Sequence, residues 1–265
     1  MSAFEALRIL RIHQESNPEI ALPELAQLII SVQADAGALD FEAAYVLAET
    51  ISPDVSTGDG IRFYQHCIDG LILKERQIWA KIITLGRQKF TQKLSRDERQ
   101  CFREAGLLLT PASLRIIAWW DRITGEVRLA ADLLRIARSR RAERLTLDHE
   151  TKRLRELGID RDPIWIAIED NTAGYDVISY DLGPIEPLNR LIEVKSTIAS
   201  PLRFQLSRNE WNQACRFGER YHFHIWNLQT EPPQLFERTV ADILPHVPTD
   251  NELGHWRIAD IPVGS

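Results

Sequence analysis

The run Leu191-Ile192-Glu193-Val194-Lys195 limits this chain more than any other segment, because it sets a carboxylate and an ammonium inside an apolar, β-branched stretch. Such a stretch reads as a strand interior. Alternation then sends Glu193 and Lys195 to one face and Ile192 and Val194 to the other. Removing charges from water costs several kcal/mol each unless they are paired or metal-bound, so two charges on a half-buried strand face point to a site.

Asp176 is placed beside them by hairpin geometry. Gly174 to Tyr180 alternates like a strand, and Asp181-Leu182-Gly183-Pro184-Ile185-Glu186-Pro187 is rich in turn residues. With the turn centred near Pro184, antiparallel pairing sets Asp176 opposite Glu193, at about 5 Å across the ladder. Two carboxylates that close repel, and a divalent cation resolves the conflict. Oxygen ligands from Asp176, Glu193 and the backbone carbonyl of Val194, completed by waters, suit Mg²⁺ or Mn²⁺; zinc would call for His or Cys. Lys195 would stand near a metal-bound water and could orient it or stabilise charge on a scissile phosphate. Six of the 32 basic residues are lysine, so a chain that prefers arginine uses a compact point charge here. A plain Glu-x-Lys ion pair on a solvated strand face is the competing reading.

The surrounding pattern weighs against that competitor. Leu147 to Gly158 has helical spacing, and Pro163-Ile164-Trp165-Ile166-Ala167-Ile168 reads as a strand. After the hairpin, Leu206-Ser207-Arg208-Asn209-Glu210-Trp211 carries a capping box, Ser207 with Glu210, and a staple, Leu206 with Trp211; this helix should run to about Gly218. Tyr221 to Leu228 is a further strand. The order is helix, three strands, helix, strand.

That order, with Asp on one strand and Glu-x-Lys on the next, resembles the restriction-endonuclease-like PD-(D/E)xK nuclease superfamily. More narrowly, Gly174-Tyr175-Asp176-Val177, Ile192 to Thr197, Leu206 to Trp211 and Tyr221 resemble the domain named after the C-terminal region of the plant protein NO VEIN, over roughly Arg144 to Leu228. The resemblance implies an α/β (α+β) fold with an αβββαβ core and a metal-dependent nuclease acting on nucleic acid, with DNA the expected form. It also implies a bacterial restriction or phage-defence setting, with a helicase, ATPase or methyltransferase as possible partner and a homodimer as possible assembly. Asp176 and Glu193 become metal ligands, Lys195 the water- or phosphate-positioning residue, and Glu150 an extra acidic ligand from the first helix. Tyr175 stands where the superfamily usually has proline, as in the narrower family. Some families with this fold are binding domains without cleavage.

Ser196 and Thr197 could hold phosphate, and Arg138, Arg140 and Arg141, in the densest basic segment, could line a groove for nucleic acid; Glu143, Asp148, Glu150 and Glu156 could equally pair with the arginines. A net charge of -6 argues against non-specific coating of nucleic acid. Cys67, Cys101 and Cys215 lack metal spacing and read as thiols of a reducing compartment. No leader is visible, and apolar runs such as Ala21 to Val32 are too short to span a bilayer, so a cytoplasmic protein is expected.

The residues before the nuclease-like part read as helical, and three regions are expected: a helical domain over 1–110, a helical linker over 111–142 and the nuclease-like domain over 143–265. Leu71 to Gln77 and Ile78 to Gly86 could form a hairpin, which would make the first domain a winged helix; a winged-helix transcription regulator is therefore a further alternative. Pro111 to Ile123 and Glu126 to Arg141 read as two helices, with Trp119 and Trp120 in the core. His222 and His224 read as ordinary sheet residues, and the segment from Glu231 onward as mostly loop.

Overall fold

A computed structural model describes residues 2–72, 78–170, 172–250, 252 and 254–264. The chain divides into two compact units, Met1–Asp132 and Leu133–Ser265. In the first, α1 (Ser2–Ser16), α2 (Leu22–Val32), α3 (Phe41–Thr50), α4 (Gly60–Gly70), α5 (Arg87–Lys93) and α6 (Arg96–Glu104) enclose a core that includes Leu7, Phe63, Phe90, Phe102 and Trp119. Trp119 donates to the buried Asp69 at 2.9 Å, and Trp120 packs on Phe90. Both tryptophans are core residues.

The hairpin expected here is not seen. Ile78–Leu85, its second arm, is 3-10 helix, while residues 73–77 of the first arm lie outside the described residues. Among the described residues this unit contains no strand and hence no wing.

Helix α7 (Leu114–Glu156) is a single element of 43 residues where three shorter helices were expected. One glycine, Gly125, costs about 1 kcal/mol against alanine, too little to break a helix of this length. Thr124 returns its hydroxyl to the Trp120 carbonyl at 2.9 Å rather than diverting the backbone. The expected stop at Gly158 has a physical basis: φ is +69° there, Ile159 N–H reaches Leu154 O at 2.9 Å, Gly158 N–H reaches Arg155 O, and Ile159 packs on Leu154.

The second unit is built on a five-stranded mixed sheet, in the order β1 (Ile164–Trp165), β2 (Val177–Asp181), β3 (Leu188–Thr197), β5 (Tyr221–Asn227), β6 (Gln234–Thr239). The β3–β5 pair is parallel and the others antiparallel. A separate antiparallel pair joins β4 (Arg203–Ser207) to β7 (Ile258–Pro262), with α8 (Arg208–Phe217) after β4 and α9 (Val240–Ile243) after β6. The segment after Glu231 is thus more ordered than its sequence pattern indicated. Alternation in β6 is disguised because the residue that follows Leu235 on the α7 face is the charged Glu237. Ile164 to Ile168 forms only two strand residues, then a 3-10 turn.

Strand β3 divides two environments. Ile192 and Val194 pack with Val177, Trp226 and Ala142 of α7. Leu191, Tyr221, Phe223 and Ile225 pack with Trp211 and Ala214 of α8. On the α7 face Glu150 is fully buried; it accepts from Arg153 Nε at 2.7 Å and from Ser179 Oγ at 2.6 Å, and faces Arg190 and His224. Arg190 reaches Glu237 at 2.9 Å and shares a hydrogen bond with His222. Burial lowers the His224 pKa to about 3, so the ring is neutral, while His149 beside it holds Glu237 down to about 2.

Glu150 therefore serves a buried ionic network. Glu150→Ala should destabilise the protein by about 3 kcal/mol or more, because two arginines lose a buried partner, whereas Lys152→Ala on the exposed side of α7 should stay within about 0.5 kcal/mol. Urea denaturation followed by circular dichroism measures both; equal midpoints would show that Glu150 is not the anchor of this network.

Candidate functional site

The antiparallel register runs Val177↔Ile192 through Asp181↔Leu188 and is not continued at Asp176, which also turns its N–H to Ile192, so that Asp176 lies beside the Ile192–Val194 stretch rather than in register with Glu193 as expected. Asp176 ends the ladder. Its N–H donates to Ile192 O at 2.9 Å, its carbonyl accepts from Ile166 and Ala167 N–H, and its Oδ2 accepts from Val194 N–H at 2.8 Å. Gly174, two residues earlier, takes φ +76°; an added Cβ would lie 2.6 Å from Gln213 Cγ on α8, so only glycine fits this turn.

Glu193 is buried, and Lys195 lies two residues along the same face. Lys195 Nζ is 2.8 Å from Glu193 Oε1 and 2.8 Å from Glu210 Oε2. Tyr221 is fully buried beneath them; its hydroxyl donates to Gly174 O at 2.6 Å and lies 3.4 Å from Glu193 Oε2. Asp176, Glu193, Lys195, Glu210 and Tyr221 thus converge where the β2, β3 and β5 strands meet the start of α8.

Burial pushes the Asp176 carboxyl up to about 6, against the pull of Val194 N–H and Lys195. Burial likewise holds Glu193 well above the carboxylate range despite Lys195. For Lys195 burial acts downward, but Glu193 and Glu210 more than offset it and the amine stays protonated. Glu210 lies below its usual value: burial opposes this, and Lys195 with the Ser207 backbone outweighs it.

The remaining expected site residues fall as follows. Val194 contributes its N–H to Asp176. Glu150 is on the opposite face of the sheet, in the arginine network, and is removed from the Asp176 cluster. The α7 acid that acts on Asp176 is Glu143, whose charge raises the Asp176 pKa further; it is buried and accepts from Trp165 Nε1 and Arg140, both at 2.6 Å. Arg140 also lies over the Trp165 ring at 5.6 Å. Arg141 is exposed and 3.7 Å from Glu231, and Arg138 is half-buried on α7. By alternation Ser196 faces the α7 side with Val194, away from Lys195, whereas Thr197 shares the Lys195 side and caps the following turn through Ala199 N–H. Glu143, Glu210, Tyr221 and Gly174 were given no place in the Asp176–Glu193–Lys195 site by the sequence. Glu210 was legible as a cap, but its second partner depends on how α8 meets β3.

Two adjacent desolvated carboxylates with raised pKa values are a donor set that fits a hard divalent cation. Among the described residues no group of three or more His, Cys, Asp or Glu is placed to hold a metal. Mg²⁺ is commonly held by one or two carboxylates together with waters and substrate phosphate, so a two-acid site remains compatible with that ion.

The fold and site define a mixed α+β domain whose central sheet carries an Asp, Glu-x-Lys cluster at a ladder end. Residues 142–237 match the family model described as Protein NO VEIN, C-terminal. No curated protein and no solved structure matches the chain. Among the described residues no helix is long and apolar enough to cross a membrane.

A carboxyl whose pKa rises on folding is destabilising once it ionises: the cost is absent below about pH 4, where it is protonated folded and unfolded, and complete above about pH 6. Asp176→Asn, which can still accept from Val194, should therefore raise the metal-free melting temperature at pH 8, with the gain vanishing near pH 4. A pH series of thermal melts checks this, and a lower melting temperature at pH 8 would show that Asp176 is not a destabilising charge.

Proposed function

We propose that the second unit is a metal-dependent nuclease that hydrolyses phosphodiester bonds, with DNA as the expected substrate and bacterial restriction or phage defence as the expected setting. The observation that carries this reading is the gathering of Asp176 and Glu193 around one end of β3: Asp176 accepts from Val194 N–H, its charge raises the pKa of Glu193, both carboxyls are made costly by burial, and a protonated lysine stands 2.8 Å from Glu193. In this reading Asp176 and Glu193 hold Mg²⁺ or Mn²⁺, with the Val194 carbonyl as a further ligand. A cation held there would supply charge stabilisation for a phosphate and acidify a bound water. Lys195 orients the attacking water or contacts the phosphate, and Thr197 is the hydroxyl on that side of β3. Glu143, rather than Glu150, is the α7 acid suited to support the cation. Arg140 and Arg138 offer cationic contacts for the nucleic-acid backbone, which would position but not specify sequence.

A second reading, a catalytically silent nucleic-acid- or protein-binding module, draws on the same lysine: Lys195 already bridges Glu193 and Glu210, so the cluster holds part of its own neutralising charge.

The two readings separate on metal. Mn²⁺ or Mg²⁺ should raise the melting temperature, since a ligand that binds only the folded state stabilises it by about 2.7 kcal/mol at a hundred times Kd. Because the ligands must be deprotonated, the gain should shrink below about pH 6. Asp176→Asn should remove it. Plasmid, linear duplex, single-stranded DNA and RNA should be tested with both metals. Cleavage by the native chain and a loss of at least about 100-fold in Lys195→Ala is the expected result. A metal-independent melt with no cleavage of any substrate would favour the silent module.

A further inference from the structure

We propose that Glu210 is a positioning residue for Lys195, holding the ammonium between β3 and the start of α8 independently of Glu193. The catalytic part of this inference rests on the nuclease reading; the structural part does not.

The geometry is specific. Glu210 Oε2 accepts from Ser207 N–H at 2.8 Å and lies 2.8 Å from Lys195 Nζ, while Glu210 N–H returns to Ser207 Oγ at 3.3 Å. One oxygen therefore joins the start of α8 to the lysine on β3. The capping box fixes the carboxylate, and Trp211 and Ala214 fix the helix by packing against the sheet. A free lysine side chain has about 2 kcal/mol of rotamer entropy to lose, so an anchored partner matters.

The same chain supplies the comparison. Among the described residues there are two other complete capping boxes, Ser95 with Glu98 and Thr239 with Asp242, whose hydrogen bonds lie at the surface. A cap alone needs no burial and no basic partner. Glu210 has 21% of its side chain exposed and stands beside a lysine with 15% exposed. If a cation takes up Glu193, the lysine's contact on β3 is weakened, and the Glu210 contact still holds the ammonium between β3 and α8. Glu210 thereby separates two duties that Glu193 cannot perform at once, binding a cation and holding Lys195.

Glu210→Gln distinguishes clamp from cap, because glutamine also completes a capping box but carries no charge. In the full-length chain, competitive acetylation with acetic anhydride, read by peptide mass spectrometry, reports the free-amine fraction of Lys195 against the exposed Lys152. Native Lys195 should label far more slowly than Lys152 at pH 9. In Glu210→Gln its labelling should rise about tenfold, the effect of losing one pKa unit, and the chain should stay folded with a stability loss no larger than about 1.4 kcal/mol, which that unit is worth. Ser207→Ala, which disturbs only the cap, should leave labelling as in the native chain. Native-like labelling in Glu210→Gln, or an equal rise in Ser207→Ala, would overturn the proposal. Where the native chain cleaves, Glu210→Gln should lower kcat at nearly constant KM and shift the alkaline limb of the pH profile downward; an unchanged kcat and profile would overturn the catalytic part. Absence of cleavage by the native chain counts against the nuclease reading alone, since labelling still decides whether Glu210 clamps Lys195.

Discussion

The hydrogen bond from Val194 N–H to Asp176 Oδ2 is the point on which the second unit turns. A ladder between β2 and β3 would ordinarily satisfy that N–H with a backbone carbonyl. Here a side chain does so, while the Asp176 carbonyl is turned outward to Ile166 and Ala167. The strand therefore stops pairing as a strand at Asp176, and a carboxylate is drawn in beside Glu193. Gly174 makes the turn possible, and Tyr221 secures it by bonding the Gly174 carbonyl. Desolvation then raises the pKa values of the two carboxyls that this arrangement brings together.

Charge balance separates this cluster from the network on the other face of the same sheet. On the α7 side Glu150, Asp181 and Glu237 are matched by Arg153 and Arg190, with His149 against Glu237. That set is nearly balanced in charge, although Glu150 Oε1, Arg190 Nε and both ring nitrogens of His224 lack a hydrogen-bond partner among the described residues. On the α8 side Asp176, Glu193 and Glu210 gather around Lys195, an excess of negative charge in a desolvated place. Burying unbalanced charge costs free energy unless something arrives to compensate it. A divalent cation is the simplest compensation, and this reasoning favours a metal-binding reading over a plain ion pair.

The register of β2 on β3 was legible from Val177 to Asp181 because turn residues concentrate around Pro184 and hydrophobic alternation is clear on both strands; Asp176, expected opposite Glu193, instead turns its N–H to Ile192, a local slip that alternation alone could not show. The capping box of α8 and the stop at Gly158 were legible for a similar reason, since each is a local pattern of side chain and backbone. What local pattern could not show was which turn of a long helix faces which residue of the sheet. Glu143 and Glu150 lie seven residues apart on α7 and are both buried, yet they serve different clusters. The strand β6 was obscured because its α7-facing positions include a charge that is satisfied only by distant residues. The three-helix reading of α7 set breaks after Ile123 and after Arg141, although no proline falls within Leu114–Glu156 and Gly125 removes no backbone hydrogen bond.

The division of labour between arginine and lysine follows the same physics. Arg153 touches Glu150, Asp181 and the Tyr180 carbonyl, and Arg190 touches Glu237 and His222; each uses a planar fork to tie several acceptors into one rigid arrangement. Such a residue is suited to hold structure, since moving it breaks several bonds together. Lys195 instead presents a single compact charge between two carboxylates, one on β3 and one on α8. It can give up one partner and keep the other without leaving its place, a freedom that the role proposed for it beside a phosphate or water would need.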